Sequence, residues 1–305
     1  MSTEAFVAAQ GGNFGPCARC HETMTRPPVA IGPLVSVCFE CLTADERRAL
    51  ERDLTSAAKV QRALLPAPVT ALLGWEVSYL WQPLGVVSGD HVDVLPPAAS
   101  GEPLHLLLGD VAGKGVAASL LQAHLHALFR ALAPTDLSLC GLLERANQLF
   151  NQATTAASYA TLAALRLFAD GRVQLANAGH PRPLLADARG VRPVEGADLP
   201  LGLMSGAAYK TRDLTLAPGE TLLLYSDGWT EAAKADDEEY GIGRAAASFR
   251  RAAKLPLPEL LAACRADLEA FLDGGPLGDD LSLLAVRRRE SEALSRPADA
   301  SSPPA

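Results

Sequence analysis

The chain has 305 residues, of which 49% are hydrophobic and 20% charged, and its net charge is −8 at pH 7. This composition is typical of a globular protein that buries a core without disulfide bonds, and the acidic charge excludes broad electrostatic binding to nucleic acid or anionic membranes. We see neither a secretory signal nor an apolar run of ~18 residues, so we expect a cytoplasmic protein with no membrane partner.

Residues 1–44 carry two Cys-x-x-Cys pairs, Cys17 with Cys20 and Cys38 with Cys41, separated by 17 residues. This spacing is typical of one structural Zn²⁺ held by four thiolates, and so short a module needs zinc to fold. The C-A-R-C-H run also permits c-type haem attachment, which normally requires export, and a thiol redox switch is a third interpretation. Because basic residues are few here, we expect a sensor or protein-docking module that does not bind nucleic acid.

Residues 45–66 are predicted to form a linker helix. Thr43 and Glu46 have the spacing of a capping box, and Pro66 ends the pattern. One stripe of the helix is largely apolar and consists of Leu50, Leu54, Ala57, Ala58, Gln61, Leu64 and Leu65. The helix either packs on its own domain or joins an input module to an output domain, in which case a homodimer through this helix is expected.

Residues 67–288 are predicted to form the main domain, and residues 289–305, rich in Ser, Pro and Ala, a disordered tail. Period-2 patterns and apolar runs predict strands at 75–81, 104–108, 159–168, 172–176, 183–186, 210–216, 221–225 and 281–286. Helical patterns cover 116–132, 139–153 and 257–272. The Asp170-Gly171 hairpin signal and the segregated helices favour an α+β fold over a doubly wound parallel sheet.

Four acidic segments share one context, in which an aspartate lies beside glycine at the end of a predicted strand. They contain Asp90, Asp110, Asp227, and Asp279 with Asp280. Aspartate at a single strand end is most often a turn former. Four such ends that converge at a sheet edge would repel one another unless cations lie between them, and carboxylate oxygens favour Mg²⁺ or Mn²⁺.

The acidic segments belong to an ordered series of motifs. In chain order these are Q-x-x-L-L-P at 61–66, V-S-G-D-H-V-D-V at 87–94, G-D-V-A-G-K-G-V-A-A at 109–118, A-N-A-G-H-P at 176–181, P-L-G-L at 200–203, P-G-E at 218–220 with Y-S-D-G-W-T-E-A at 225–232, and D-D-L-S-L-L at 279–284. Over residues 60–287 the series resembles the SpoIIE/RsbU-type branch of the PPM (PP2C-like) protein phosphatases.

The resemblance implies a layered β-sandwich flanked by helices, with two Mn²⁺ or Mg²⁺ ions that activate a water molecule to hydrolyse phosphoserine or phosphothreonine. It implies that Asp110 bridges the two ions, that the carbonyl of Val111 ligates one, and that Asp90 holds one directly or through water. Asp227 and Asp279 would complete the site. The implied substrate is a phosphorylated regulator of the anti-sigma-factor-antagonist kind.

Other residues are expected to lie around this site. Asp280, Gly228 and His180 are expected to contact the metal-binding residues rather than the cations themselves. His180 is either a general acid or a buried histidine that braces the site, and we favour the second. Lys114 either approaches phosphate or is a solvated loop lysine. The helix at 116–132 is apolar enough to be buried, and the resemblance implies that it also moves to control metal occupancy.

Two other functions remain compatible with the sequence. A catalytically silent PP2C-like module would bind a regulator without hydrolysis, and retention of all four aspartates argues against it because a binding scaffold does not need them. A hydrolase of small phosphate esters would use the same site chemistry. We expect a metal-dependent protein-serine/threonine phosphatase.

Overall fold

The computed structural model of the protein describes residues 15–24, 28–32, 35–154 and 158–290. The predicted disordered tail from residue 291 onward, and residues 1–14 of the predicted cysteine module, lie outside the described residues. Within the described ranges, none of the helices combines the length and the hydropathy that crossing a bilayer requires.

The N-terminal part forms a small unit with its own apolar cluster. Strands β1 (Val29–Gly32) and β2 (Val35–Val37) pair antiparallel, and a single 3-10 turn follows at Phe39–Cys41. Helix α1 (Ala44–Leu64) comes next. Five buried side chains form the cluster beside β2 and the start of α1, namely Cys17, Met24, Val37, Phe39 and Leu42.

The predicted capping box of α1 is confirmed. The backbone N–H of Glu46 donates to Oγ1 of Thr43 at 3.2 Å, and the backbone N–H of Thr43 donates to Oε2 of Glu46 at 2.9 Å. Most of the helix surface is exposed, and only Leu54 and Gln61 are fully buried. The helix therefore lies on the surface and contacts the main domain mainly through its C-terminal half, where Gln61 bonds to Ser88.

The main domain contains two antiparallel sheets. A six-stranded sheet has the order β10-β9-β12-β13-β4-β3, and a five-stranded sheet has the order β11-β8-β7-β6-β5. The strands are β3 (Val69–Leu72), β4 (Trp75–Gln82), β5 (Asp90–Leu95), β6 (Leu104–Val111), β7 (Ala160–Leu167), β8 (Arg172–Ala178), β9 (Leu184–Asp187), β10 (Gly190–Pro193), β11 (Thr211–Thr215), β12 (Thr221–Tyr225) and β13 (Leu281–Arg288).

Helices cover the outer face of each sheet. On the five-stranded sheet lie α2 (Gly115–Leu132) and α3 (Leu139–Ala153), and on the six-stranded sheet lie α4 (Asp227–Thr230), α5 (Gly241–Ala252) and α6 (Leu257–Leu272). Alternate residues of the strands point inward and form an apolar cluster between the two sheets, as the period of two residues in a strand requires. The predicted α+β sandwich flanked by helices is confirmed.

Seven elements escaped the sequence patterns, namely β1, β2, β3, β5, β10, α4 and α5. Strands β1 and β2 have only four and three residues. Strands β3 and β10 are edge strands of four residues with no buried side chain, so apolar periodicity is weak there. Strand β5 is buried at every position, including its polar residues, so its sequence does not show the alternation of a half-buried strand. Helix α4 is a single turn. Helix α5 buries small residues, Ala245, Ser248 and Ala252, together with Phe249, and small residues give a weak helical signal.

Candidate metal centres

Two of the predicted aspartates lie on neighbouring strands of the five-stranded sheet. Asp90 is the first residue of β5 and Asp110 is near the end of β6, and the two are directly opposite in the antiparallel register. Residues opposite each other point to the same face, here the face between the sheets. This face also carries Leu108 and Val92 of the inner cluster, so the carboxyl groups lie at one end of the sandwich core.

The other acids come from the matching edge of the six-stranded sheet. Asp227 begins α4 directly after β12, and Asp279 and Asp280 directly precede β13. Strands β12 and β13 are antiparallel, with Tyr225 opposite Leu283, so the end of one and the start of the other meet at one edge. The N–H of Gly89 donates to Oδ2 of Asp280 at 2.9 Å, and a Cβ atom on the same glycine would be 3.3 Å from Oδ1 of Asp110. Acids from both sheets therefore converge at this edge.

Asp280 differs from the other acids because its oxygens already accept several hydrogen bonds. Oδ1 accepts from the backbone N–H of Leu84 at 2.6 Å, and Oδ2 accepts from Oγ of Ser88 at 2.8 Å and from the N–H of Gly89 at 2.9 Å. These donors belong to the loop between β4 and β5. Asp280 therefore ties that loop, and Asp90 behind it, to the start of β13.

Gly228 lies where a side chain has no room. A Cβ atom there would be 2.0 Å from the carbonyl oxygen of Asp280 and 3.4 Å from Cβ of Asp279. The close approach lets the turn after β12 pack directly on the segment before β13. Gly228 thus sets the distance between Asp227 and the pair Asp279–Asp280.

Burial and mutual repulsion disfavour ionisation of this cluster without a counterion. Burial, with the charges of Asp227, Asp279 and Asp280, raises the pKa of Asp110 to about 8. Burial, then the charges of Asp110 and Asp280, raises the pKa of Asp90 well above its usual range. Burial is also the main cause of the raised pKa values of Asp227 and Asp280. Cations between the carboxylates would reverse these shifts.

The oxygens present fit divalent cations. Asp90 is 1% exposed, and neither of its carboxylate oxygens has a hydrogen-bond partner among the described residues. The hydroxyls of Ser226 and Ser282 lie near enough to lower its pKa, but neither makes a hydrogen bond of normal geometry to it. Such a buried, unpartnered carboxylate is unfavourable unless something else binds it. An all-oxygen set matches Mg²⁺ or Mn²⁺.

The backbone carbonyl of Val111 lies next to the Asp110 carboxylate. A Cβ atom on Gly89 would be 3.1 Å from the carbonyl oxygen of Val111 and 3.3 Å from Oδ1 of Asp110. The two oxygens therefore border one small space that the absence of a Gly89 side chain leaves open. This arrangement is compatible with both oxygens binding one cation, as the resemblance implies for Val111.

His180 is buried between the strands rather than exposed in the cleft. Its Nδ1 is 2.9 Å from Oγ1 of Thr161, the residue opposite Asp110 in β7, and its backbone N–H donates to Oδ1 of Asn177 at 2.8 Å. Burial lowers the pKa of His180 to about 3. A neutral, hydrogen-bonded imidazole of this kind favours the bracing role over the general acid.

Lys114 reaches across the site. It precedes the first residue of α2, and its Nζ lies 2.9 Å from Oδ2 of Asp279 and donates to the carbonyl of Gly278 at 2.8 Å. Its charge also lowers the pKa values of Asp110 and Asp227. The solvated-lysine interpretation does not describe these contacts, and the sequence pattern held no signal for the Asp279 partner.

A buried amide network on the other side of β5 also escaped the sequence analysis. Gln61 of α1 donates through Nε2 to the carbonyl of Ser88 at 2.7 Å, and its Oε1 accepts from the Ser88 N–H at 2.9 Å. Its Nε2 also lies 3.2 Å from Oε1 of Gln122 in α2, whose own Nε2 is 3.2 Å from Nδ1 of His91. The position of Gln61 within the otherwise apolar stripe of the helix was the one feature of the sequence that could have indicated this network.

The predicted zinc ligands are brought together at the N-terminal unit. The Sγ atoms of Cys17, Cys20, Cys38 and Cys41 all lie within 4.8 Å of one another, and none forms a disulfide. The N–H groups of Arg19 and Cys38 donate to Sγ of Cys17 at 3.4 and 3.3 Å. Burial raises the pKa of this thiol, but the backbone donors outweigh it and lower the pKa to about 6. Four thiolates in this arrangement fit a tetrahedral Zn²⁺.

Two arginines connect the cysteine unit to the start of α1. Arg19 donates through both terminal nitrogens to the carboxylate of Glu46, at 2.7 and 2.6 Å, and also contacts the carbonyl of Cys41. Arg47 lies over the ring of Phe39, 4.5 Å from its centroid. The capping box residue Glu46 therefore links the cysteine loop to the helix.

Comparison with known proteins gives one family. The profile of the family described as "Stage II sporulation protein E (SpoIIE)" matches residues 100–289. The chain is 25% identical over 267 residues to Protein IcfG of Synechocystis, covering 77% of this chain and 41% of IcfG. It is 25% identical over 185 residues to the phosphoserine phosphatase RsbU of Bacillus subtilis, covering 60% of this chain and 54% of RsbU. The chain thus spans about half the length of these curated relatives.

Solved structures show the same architecture. The SiaA-PP2C domain of Pseudomonas aeruginosa superposes with a TM-score of 0.69 at 25% identity and covers 80% of this chain and 99% of that domain. The RsbU and RsbW domains of Rv1364c from Mycobacterium tuberculosis superpose with a TM-score of 0.60 at 28% identity, covering 74% of this chain and 62% of that one.

Proposed function

The chain belongs to the SpoIIE family of PP2C-like phosphatase domains, and we propose that it is a protein-serine/threonine phosphatase dependent on two Mn²⁺ or Mg²⁺ ions. Its proposed substrate is phosphoserine or phosphothreonine on a regulatory protein. RsbU and RsbP, two similar proteins, are named phosphoserine phosphatases. We propose that this regulatory protein is an anti-sigma-factor antagonist, as the sequence motifs imply. One similar structure contains an RsbU domain together with an RsbW domain.

The observation that carries the proposal is the unpartnered carboxylate of Asp90 opposite Asp110. Both Asp90 oxygens are buried without a donor, and the pKa of Asp110 is about 8. A purely binding scaffold gains nothing from holding such groups together, because their repulsion lowers its stability. Binding of cations makes the same arrangement favourable.

The residues of the site have separate roles. Asp110, Asp90, Asp227 and Asp279, with the Val111 carbonyl, would hold the cations, which polarise water and the phosphoryl group when bound. Asp280 keeps the Ser88–Gly89 turn, and so the Asp90 carboxylate, in position through its hydrogen bonds. His180 braces Thr161 beside Asp110.

Hydrolysis of para-nitrophenyl phosphate by the purified chain, with and without Mn²⁺, tests this proposal. We expect Mn²⁺-dependent turnover that Asp110→Ala and Asp227→Ala both abolish. Asp213→Ala is the matched control, since Asp213 is exposed on the edge strand β11 and its carboxylate accepts a hydrogen bond from Gln174. Turnover that is indifferent to Asp110 and Asp227 would reject the two-cation site.

Substrate class is tested separately with a phosphoserine protein. Release of phosphate from a phosphorylated anti-sigma-factor antagonist, far faster than from the small ester at equal concentration, is expected of a protein phosphatase. Turnover of the small ester alone would favour a small-molecule phosphatase. Binding of the phosphoprotein with no turnover of either substrate would favour the silent interaction module.

The N-terminal region is part of the same proposal. We assign residues 1–44 to a structural zinc module, 45–66 to a linker helix, 67–288 to the phosphatase domain and 289–305 to a tail. A homodimer through α1 fits its exposed surface, on which the side chain of Val60 is 64% exposed. Analytical ultracentrifugation of the chain beside Val60→Glu tests this: a dimer that the charge disrupts is expected, and a monomer at all concentrations would reject it.

A further inference from the structure

Lys114 has a position that the proposed reaction does not yet explain. The residue lies between Gly113 and Gly115, whose φ angles are 106° and 76°, at the point where β6 turns into α2. Glycine favours such left-handed conformations, so the loop is shaped to make a sharp turn on either side of Lys114. The side chain then leaves the loop toward the segment before β13.

The contacts of Lys114 are with the acidic site itself. Its ammonium lies 2.9 Å from Oδ2 of Asp279 and 2.8 Å from the carbonyl of Gly278. Its positive charge also lowers the pKa values of Asp110 and Asp227. Within the described residues, no arginine and no second lysine forms an ion pair with any of the five acids of the site, Asp90, Asp110, Asp227, Asp279 and Asp280.

The charge balance of the site needs one more positive group. Five carboxylates carry more negative charge than two divalent cations neutralise, and the phosphate group of a substrate adds further negative charge. A phosphate that approaches this cluster therefore meets net repulsion unless a side chain offsets it. Lys114, 40% exposed and already at the edge of the cluster, is placed to supply that charge.

We propose that Lys114 is the built-in countercharge of the site: it holds the Asp279 carboxylate until that carboxylate binds a divalent cation, and it then binds the phosphate group of the substrate. The inference rests on the proposed function and assigns Lys114 as a substrate-binding residue. An ammonium on a flexible stem suits this role, because it acts as a mobile point charge that needs no fixed bidentate geometry.

Two calorimetric titrations test the inference without turnover. Titration of metal-stripped chain with Mn²⁺ should give a dissociation constant about two- to fivefold tighter for Lys114→Met than for wild type, the range that loss of one exposed ion pair predicts. Titration of the Mn²⁺-loaded chain with inorganic phosphate should show binding weakened about tenfold in Lys114→Met and largely retained in Lys114→Arg.

Lys234→Met is the matched control, because Lys234 forms a comparable exposed ion pair with Glu238 at 3.3 Å outside the five-acid site. Unchanged Mn²⁺ affinity in Lys114→Met, an equal change in Lys234→Met, or unchanged phosphate binding in Lys114→Met would each overturn the inference. If wild type fails to hydrolyse any phosphate ester, the proposed function fails, while the two titrations still decide the role of Lys114.

Discussion

Asp90 and Asp110 lie directly opposite each other on β5 and β6, and both oxygens of Asp90 are buried with no hydrogen-bond donor in the described part of the chain. Two acids in this relationship destabilise the fold while they are ionised and have no cation between them. The pair therefore links three measurable properties of the protein: its stability, its protonation and its affinity for divalent cations.

Asp90→Asn should make the metal-free protein more stable. Burial, then the charge of Asp110, raises the pKa of Asp90, so folding without a cation must either bury a charge or take up a proton. The neutral amide of asparagine avoids both costs, so we expect a gain of about 2 kcal/mol in the free energy of unfolding. The same variant should lose most of the stabilisation that Mn²⁺ gives wild type. Urea denaturation with and without Mn²⁺ measures both effects, and a metal-free variant less stable than wild type would contradict the prediction.

The stability of the metal-free protein should fall as the pH rises from 6.5 to 8. The pKa of Asp110 is raised from 3.8 to about 8, so in this window the folded state binds a proton that the unfolded state has released. Below pH 6.5 the protein should instead lose stability as the pH falls. Burial lowers the pKa of His91 from 6.5 to about 4, so in this range the unfolded chain binds a proton on His91 that the folded chain does not.

Denaturation midpoints in chelator at several pH values check this prediction. The difference between wild type and Asp110→Asn isolates the contribution of this carboxyl from those of other groups. We expect the difference to grow toward pH 8 and to shrink when Mn²⁺ is added. A difference that does not depend on pH would show that Asp110 is ionised in the metal-free fold.

Gly228→Ala should destabilise the protein, although it adds only one methyl group. The new methyl group would lie 2.0 Å from the carbonyl oxygen of Asp280, which is backbone and cannot rotate away. We expect a loss of about 1–3 kcal/mol and weaker Mn²⁺ binding, because Asp227 must move away from Asp279. Gly243→Ala is the control: it lies in α5 with nothing within 4 Å of the added methyl, and should be neutral or stabilising. Equal thermal midpoints for the two variants would reject the argument.

Asp280→Ala should destabilise the loop before β5. Three donors lose their acceptor, namely the N–H groups of Leu84 and Gly89 and the hydroxyl of Ser88. Because unsatisfied buried donors are costly, we expect a loss of about 2–4 kcal/mol and faster hydrogen exchange at Gly89 and Asp90. Faster exchange in β13 alone, with no change at Gly89 and Asp90, would contradict the role assigned to Asp280.

The cysteine cluster should hold one Zn²⁺ per chain. Elemental analysis of purified protein is expected to give a zinc stoichiometry near one, which Cys17→Ser reduces and Cys140→Ser leaves intact, since Cys140 lies in α3 and contacts Thr211. Loss of zinc should also expose the start of α1 to proteolysis, because Arg19 joins the cysteine loop to Glu46. A visible haem spectrum, or a stoichiometry of zero with oxidised thiols, would favour the other two interpretations.

Much of the architecture was available from local patterns. The capping box of Thr43 and Glu46 is complete within four residues, and the strand and helix periods of the main domain reflect which face of each element is buried. The spacing of Cys17, Cys20, Cys38 and Cys41 likewise predicted their convergence, which the Sγ separations confirm. The ordered motifs predicted the family.

Tertiary structure alone decided how the acids are divided between roles. Asp279 and Asp280 are neighbours in sequence, yet one pairs with Lys114 and the other accepts hydrogen bonds from Ser88 and Gly89, more than 160 residues away. Sequence patterns report the burial of a face, whereas the partner of a polar group depends on which loops meet at a sheet edge. The edge that brings β5, β6, β12 and β13 together therefore determines which carboxylates remain open to a cation.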